Sequence, residues 1–145
     1  MSSNYKKNSY NCVCEVVRFI YDLQEQRACP KENFLTLDNI RPNTRPFVLY
    51  TAQGSLFQTF FPSLEDSGCC SSSIFRVEEI DNCCAVLRTL AVLVCNVVQS
   101  NPIEAISHYI NPVEDNSTRI VATSTCIVVD LNVFLGIQCL PDTSL

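Results

Sequence analysis

Two hydrophobic periods divide this chain. In residues 11–27 the apolar positions Val13, Val16, Val17, Ile20 and Leu23 recur at steps of three and four. That spacing gathers one stripe along an α-helix. Asn11 stands where an N-cap is needed, and Cys29-Pro30 follows where proline stops the run. The spacing predicts a helix over about residues 11–27, preceded by a polar, flexible arm over residues 1–10.

From Phe47 onward the period is two. Residues 47–52 and 55–61 read as strands joined by Gln53-Gly54, the glycine supplying the positive φ of a tight hairpin. Residues 73–80 alternate, with Phe75 and Val77 on one face and Arg76 and Glu78 on the other. Asp81-Asn82 then turns into residues 83–98, apolar on both faces, as a strand in the middle of a packed sheet must be. Residues 99–117, with Pro102, Pro112 and many polar groups, read as an excursion loop. Residues 120–131 and 133–140 complete the set. The fold class is mainly β: an antiparallel β-sandwich or partly open barrel with one N-terminal α-helix. A single domain spans residues 11–145, with its strands at about 47–140.

Composition narrows the function. The chain has 145 residues, which suits one domain able to bury roughly 70% of its unfolded surface. Ten Lys and Arg against a net charge of −5 give no basic stripe, so nucleic acid is excluded as a partner. No apolar segment follows Lys6-Lys7, as a secretory signal would require. The apolar run of residues 85–98 carries Arg88 and Asn96 and falls short of the about 20 residues that span a bilayer. The expectation is a cytoplasmic product without signal peptide or membrane insertion. Thiols are kept reduced there.

Against that compartment stand ten cysteines, at positions 12, 14, 29, 69, 70, 83, 84, 95, 126 and 139. Such a product suits a protein that meets oxidant later, when the producing cell breaks open. Zinc prefers CxxC-like spacing, often with histidine; here there are one CxC, two CC doublets and the lone His108. A metal site is the lesser reading, and a thiol enzyme lesser still. There is no Gly-rich phosphate loop and no cofactor motif in a chain with three glycines. Cys12, Cys14, Cys29, Cys69 and Cys70 fall at a helix start, before a proline and in a Ser/Gly loop, and are the candidates for bridges between chains. Cys83, Cys84, Cys95, Cys126 and Cys139 lie in strand-like segments, as buried filler or internal bridges. Cys83 and Cys84 point to opposite faces of a strand and need different partners. Tyr5, Tyr10, Phe57, Phe60, Phe61 and Tyr109 are aromatics available for contacts between subunits.

Several segments together resemble one family. They are Asn43-Thr44-Arg45-Pro46-Phe47-Val48-Leu49-Tyr50-Thr51, Ile74-Phe75-Arg76-Val77-Glu78, Cys84-Ala85-Val86-Leu87-Arg88, Ser124-Thr125-Cys126-Ile127-Val128-Val129-Asp130-Leu131 and Ile137-Gln138-Cys139-Leu140. The resemblance is to the spore coat protein Z, spore coat protein Y and exosporium protein Y group of endospore-forming bacilli. It implies a non-enzymatic, self-assembling structural protein of the coat crust or the exosporium basal layer. Such a protein is made in the mother cell and laid down on the spore surface as a two-dimensional sheet hardened by disulfides. The implied partners are copies of itself, in a ring-based sheet, and other spore coat or exosporium proteins. The alternative is a cysteine-rich adaptor that links other coat, exosporium or appendage proteins without a lattice of its own. This chain departs from the group at residues 132–136, where members often carry more cysteine, and in its Cys83-Cys84 doublet.

Overall fold

The computed structural model describes residues 11–28, 42–62, 69–112 and 117–145. Helix α1 spans Cys12–Ala28. Asn11 caps it: its Oδ1 accepts the Cys14 N–H at 2.8 Å. Val13, Cys14, Val17 and Ile20 are buried along one face. Gln24 extends that face with polar bonds. Its Nε2 donates to Val77 O at 3.0 Å and its Oε1 accepts Arg45 N–H at 3.2 Å, so a buried amide ties the helix to the sheet.

The strands are β1 (Phe47–Tyr50), β2 (Thr59–Pro62), β3 (Cys69–Ser72), β4 (Ile74–Asp81), β5 (Cys84–Val94), β6 (Val97–Val98), β7 (Thr118–Asp130) and β8 (Gly136–Cys139). All pair antiparallel. The large sheet runs β6-β5-β4-β1-β8, with β7 on β5 as well, and β2-β3 forms a separate small sheet. The architecture is an open, layered β-fold with the helix on one face, not a closed barrel. In β5 the alternation sorts side chains to two faces. Ala85 and Leu87 join the cluster under α1 with Phe47, Leu49, Phe75 and Val77. Leu90 and Val92 join the opposite cluster with Val48, Ile74, Ile120 and Leu140. A third cluster puts Phe61 and Cys70 of the small sheet over Ala91.

Two sequence expectations need correction. Residues 99–117 are not only a loop: α2 spans Pro102–Ile110 and covers Leu90 and Val92 through Ala105. Asn101 Oδ1 accepts the Ile103 and Glu104 N–H groups, and Pro102 needs no N–H partner in the first turn. The polar content of the segment had masked that start signal. The hairpin after β1 does turn at Gly54, whose φ is +87°. It pairs only as far as Leu56 and Phe57, however. Phe57 then enters the core between Phe75 and Phe134, at ring centroids of 5.7 and 5.0 Å. The following strand pairs with β3 instead.

Candidate cross-linking surface

The cysteines separate by environment. Cys14, expected as an exposed cross-linker, is fully buried and bonded to Cys83, with Cα atoms 5.4 Å apart and a sequence separation of 69. The reason is periodicity: Cys14 sits on the apolar side of α1, one residue from Val13 and three from Val17. The bridge pins the first turn of α1 to the β4–β5 hairpin. Asn82 takes a left-handed φ of +57° in that turn. Arg18 Nη2 donates to Asn82 O at 2.8 Å beside the bridge.

Cys70 also differs from expectation. It is 6% exposed on β3 and packs with Phe61 and Ala91, because residues 69–72 form a strand that lies over β5. Cys69 pairs through its backbone with Pro62; its side chain, like the whole of Cys29, lies outside the described residues. Tyr5 and Tyr10 fall outside them too. Of the other aromatics, Phe60 is 70% exposed, Phe61 is buried and Tyr109 donates to Pro141 O.

Cys12, Cys84, Cys95, Cys126 and Cys139 are exposed free thiols. Four of these were expected as filler or internal bridges, and each is exposed for a local reason. Cys84 opens β5 one residue before the buried Ala85 and so faces away from α1. Cys95 is not inside a continuous apolar strand. With Asn96 it forms the two-residue turn into β6, at φ of +54° and +65°, a turn that needs left-handed residues. Cys126 lies on the outward face of β7, opposite Arg88 of β5. Cys139 lies on β8 at the far edge of the sheet, so no bridge joins it to Cys126. Cys84 and Cys126 share one face, but their register sets them four residues apart along neighbouring strands. That is roughly 14 Å, well beyond a disulfide.

Charge surrounds two of these thiols. Glu78 accepts from Arg88 at 2.8 Å and from Arg76 at 2.9 Å, and Arg76 also donates to Thr44 Oγ1 at 2.8 Å. The hydrogen bond to Glu78 raises the Arg88 pKa. This triad carries a net positive charge beside Cys126. Near Cys139, Arg45 pairs with Asp142 at 2.9 Å. Desolvation raises the Cys139 thiol above its ordinary pKa, Arg45 opposing the shift and Asp142 adding to it. Among the described residues, no three His, Cys, Asp or Glu side chains gather as a metal site would require. No helix there is long and apolar enough to cross a membrane.

A family model described as spore coat protein Z matches residues 1–142. The chain belongs to the spore coat protein Z family. It is similar to spore coat protein Z of Bacillus subtilis (strain 168), 28% identical over 141 residues that cover 90% of this chain and 88% of that relative. No solved structure matches. Among the described residues of this family member, one bridge serves the fold, while the exposed thiols are spread over α1, both edges of the sheet, the start of β5 and the β5–β6 turn.

Proposed function

We propose that this family member is a structural protein of the spore's outer layers, in the coat crust or the exosporium basal layer. Copies assemble noncovalently into a two-dimensional lattice, which disulfides then reinforce. It is made in the mother cell and deposited on the spore surface beside other coat and exosporium proteins. The role is mechanical, with no reaction catalysed.

One observation carries this reading. Five thiols are exposed while the fold's own bridge is buried, and Cys84, Cys126 and Cys139 stand too far apart to bond one another. In the proposed lattice their disulfide partners are thiols of neighbouring chains. Each cross-link turns two thiols into one S–S bond, two protons and two electrons passing to dioxygen, which leaves as peroxide. The bond requires Cα atoms about 4.4 to 6.8 Å apart, so docking must set the register before oxidation.

Electron microscopy of the pure protein tests this. Ordered sheets are expected in reductant, dispersing in detergent. After exposure to air the same sheets should resist detergent until reductant is restored. A variant with Cys12, Cys29, Cys69, Cys84, Cys95, Cys126 and Cys139 replaced by serine should still form sheets, but these should disperse in detergent even without reductant. A chain that stays a discrete monomer at high concentration in both conditions overturns the proposal.

A further inference from the structure

The large sheet ends in two unlike edges. Strand β8 is four residues long and tied at its flanks. Tyr50 OH donates to Gln138 Oε1, Leu140 N–H to Pro46 O, and Arg45 pairs with Asp142. Strand β7 is thirteen residues long, and among the described residues its only ladder is with β5. Residues 120–129 read Ile-Val-Ala-Thr-Ser-Thr-Cys-Ile-Val-Val, without charge or proline. Exposed edges are ordinarily guarded by lysine, proline, inward charge or a bulge. Among the described residues the guard here is a bulge, where residues 122–126 span Leu90 to Arg88. Beyond it residues 126–130 pair regularly with residues 84–88.

That regular stretch is self-complementary. Ile127 and Val129 face the α1 side beside Leu87 and Ala85. On the other face Val128, 68% exposed, lies beside half-buried Val86, with Cys126 and Asp130 exposed to either side. An antiparallel copy centred on Val128 sets Ile127 against the copy's Val129, and Val128 against its counterpart. Apolar meets apolar on both faces. The same register puts Asp130 of each copy two strands from Arg88 of the other, whose triad with Arg76 and Glu78 is net positive. No like charges oppose each other.

Resting on the self-assembly proposed above, we infer that residues 126–130 of β7 form a two-fold seam with the same residues of a second copy. The two sheets become one continuous sheet, and the cores beneath α1 join across the seam. A closed two-fold contact of this kind is one of the two interfaces a planar lattice requires. Cys126 and its counterpart lie four residues apart along this seam. The native thiol therefore does not lock it and stays available to a different neighbour.

Two variants test the seam. Val128→Lys places like charges directly opposite each other, and the exposure of Val128 lets the monomer keep its fold. Its self-association in reductant should fall roughly tenfold or more by sedimentation, with an unchanged unfolding midpoint. In a background with Cys12, Cys84, Cys95, Cys126 and Cys139 changed to serine, Val128→Cys should give a covalent dimer in air. Directly opposed Cα atoms on antiparallel strands lie about 4.5 to 5.5 Å apart, within disulfide reach. Peptide mass spectrometry should locate that link at position 128 in both chains. Wild type and Val128→Lys assembling equally well would overturn the seam and leave the lattice reading standing. Absence of a link at position 128 from an assembled Val128→Cys sample would do the same. A wild-type chain that never assembles overturns both.

Discussion

At its Cys84 end strand β5 has two faces of opposite character. One carries Ala85 and Leu87, buried beneath α1 and held by the Cys14–Cys83 bridge. The other carries Cys84, Val86 and Arg88, with Cys126 and Val128 alongside on β7, and no element among the described residues covers it. The residues that hold the fold and the residues free for contact therefore alternate along a single strand, about 3.3 Å apart. Stability and assembly can then change independently, since substitutions on one face leave the packing of the other intact.

Mutations should expose that difference. On the buried face, Phe75→Ala removes a fully buried ring that packs on Phe57. It should cost about 3–5 kcal/mol in denaturant unfolding, while Val128→Ala on the open face should stay within about 0.5 kcal/mol. A loss above about 1 kcal/mol at Val128 would show that the open face is covered in the monomer.

The bridge comes next. Replacing Cys14 and Cys83 together by serine releases a constraint spanning 69 residues, worth about 4 kcal/mol on chain-entropy grounds. The melting temperature should fall by roughly 10 °C, and reductant should lower the wild-type midpoint similarly. A wild-type midpoint indifferent to reductant would mean that helix packing alone holds that end.

A smaller effect belongs to the polar border between the faces. Glu78→Gln leaves Arg76 and Arg88 without their shared carboxylate and should cost about 1 kcal/mol, the groups being partly solvated. Denaturant unfolding of the two proteins side by side measures that loss, and an unchanged midpoint in the variant would mean that the triad adds nothing to stability.

The smallest effect is on reactivity. Asp142 raises the Cys139 pKa and Arg45 lowers it. Asp142→Asn should therefore enlarge the thiolate fraction near neutral pH and speed alkylation of Cys139, read peptide by peptide. Slower alkylation in that variant would contradict the sign.

Much of this was legible in the chain. The α1 stripe, its Asn11 cap, the β4–β5 turn at Asn82 and the apolar character of β5 are local patterns, and each appears where the pattern put it. The mainly β class followed from them. Helix α2 was masked because prolines and polar residues read as loop, although Asn101-Pro102 is a start signal. The cysteines misled most. Cys70 sits in polar surroundings along the sequence yet is buried, Cys14 stands at an exposed helix start yet on its apolar stripe, and Cys95 sits in an apolar run yet turns outward. Burial depends on what packs over a residue, which neighbours in sequence do not reveal.

By itself, the sequence determined α1, most of the strands, the family and the abundance of thiol, because periodicity, capping and composition act over a few residues. Tertiary structure alone decided which sulfurs meet, which edge is tied and which is bare. Those outcomes depend on contacts between distant segments: Cys14 with Cys83 across 69 residues, and β8 against β1 rather than β7. Strand order is set by how layers bury their apolar faces together, and no single strand carries that information.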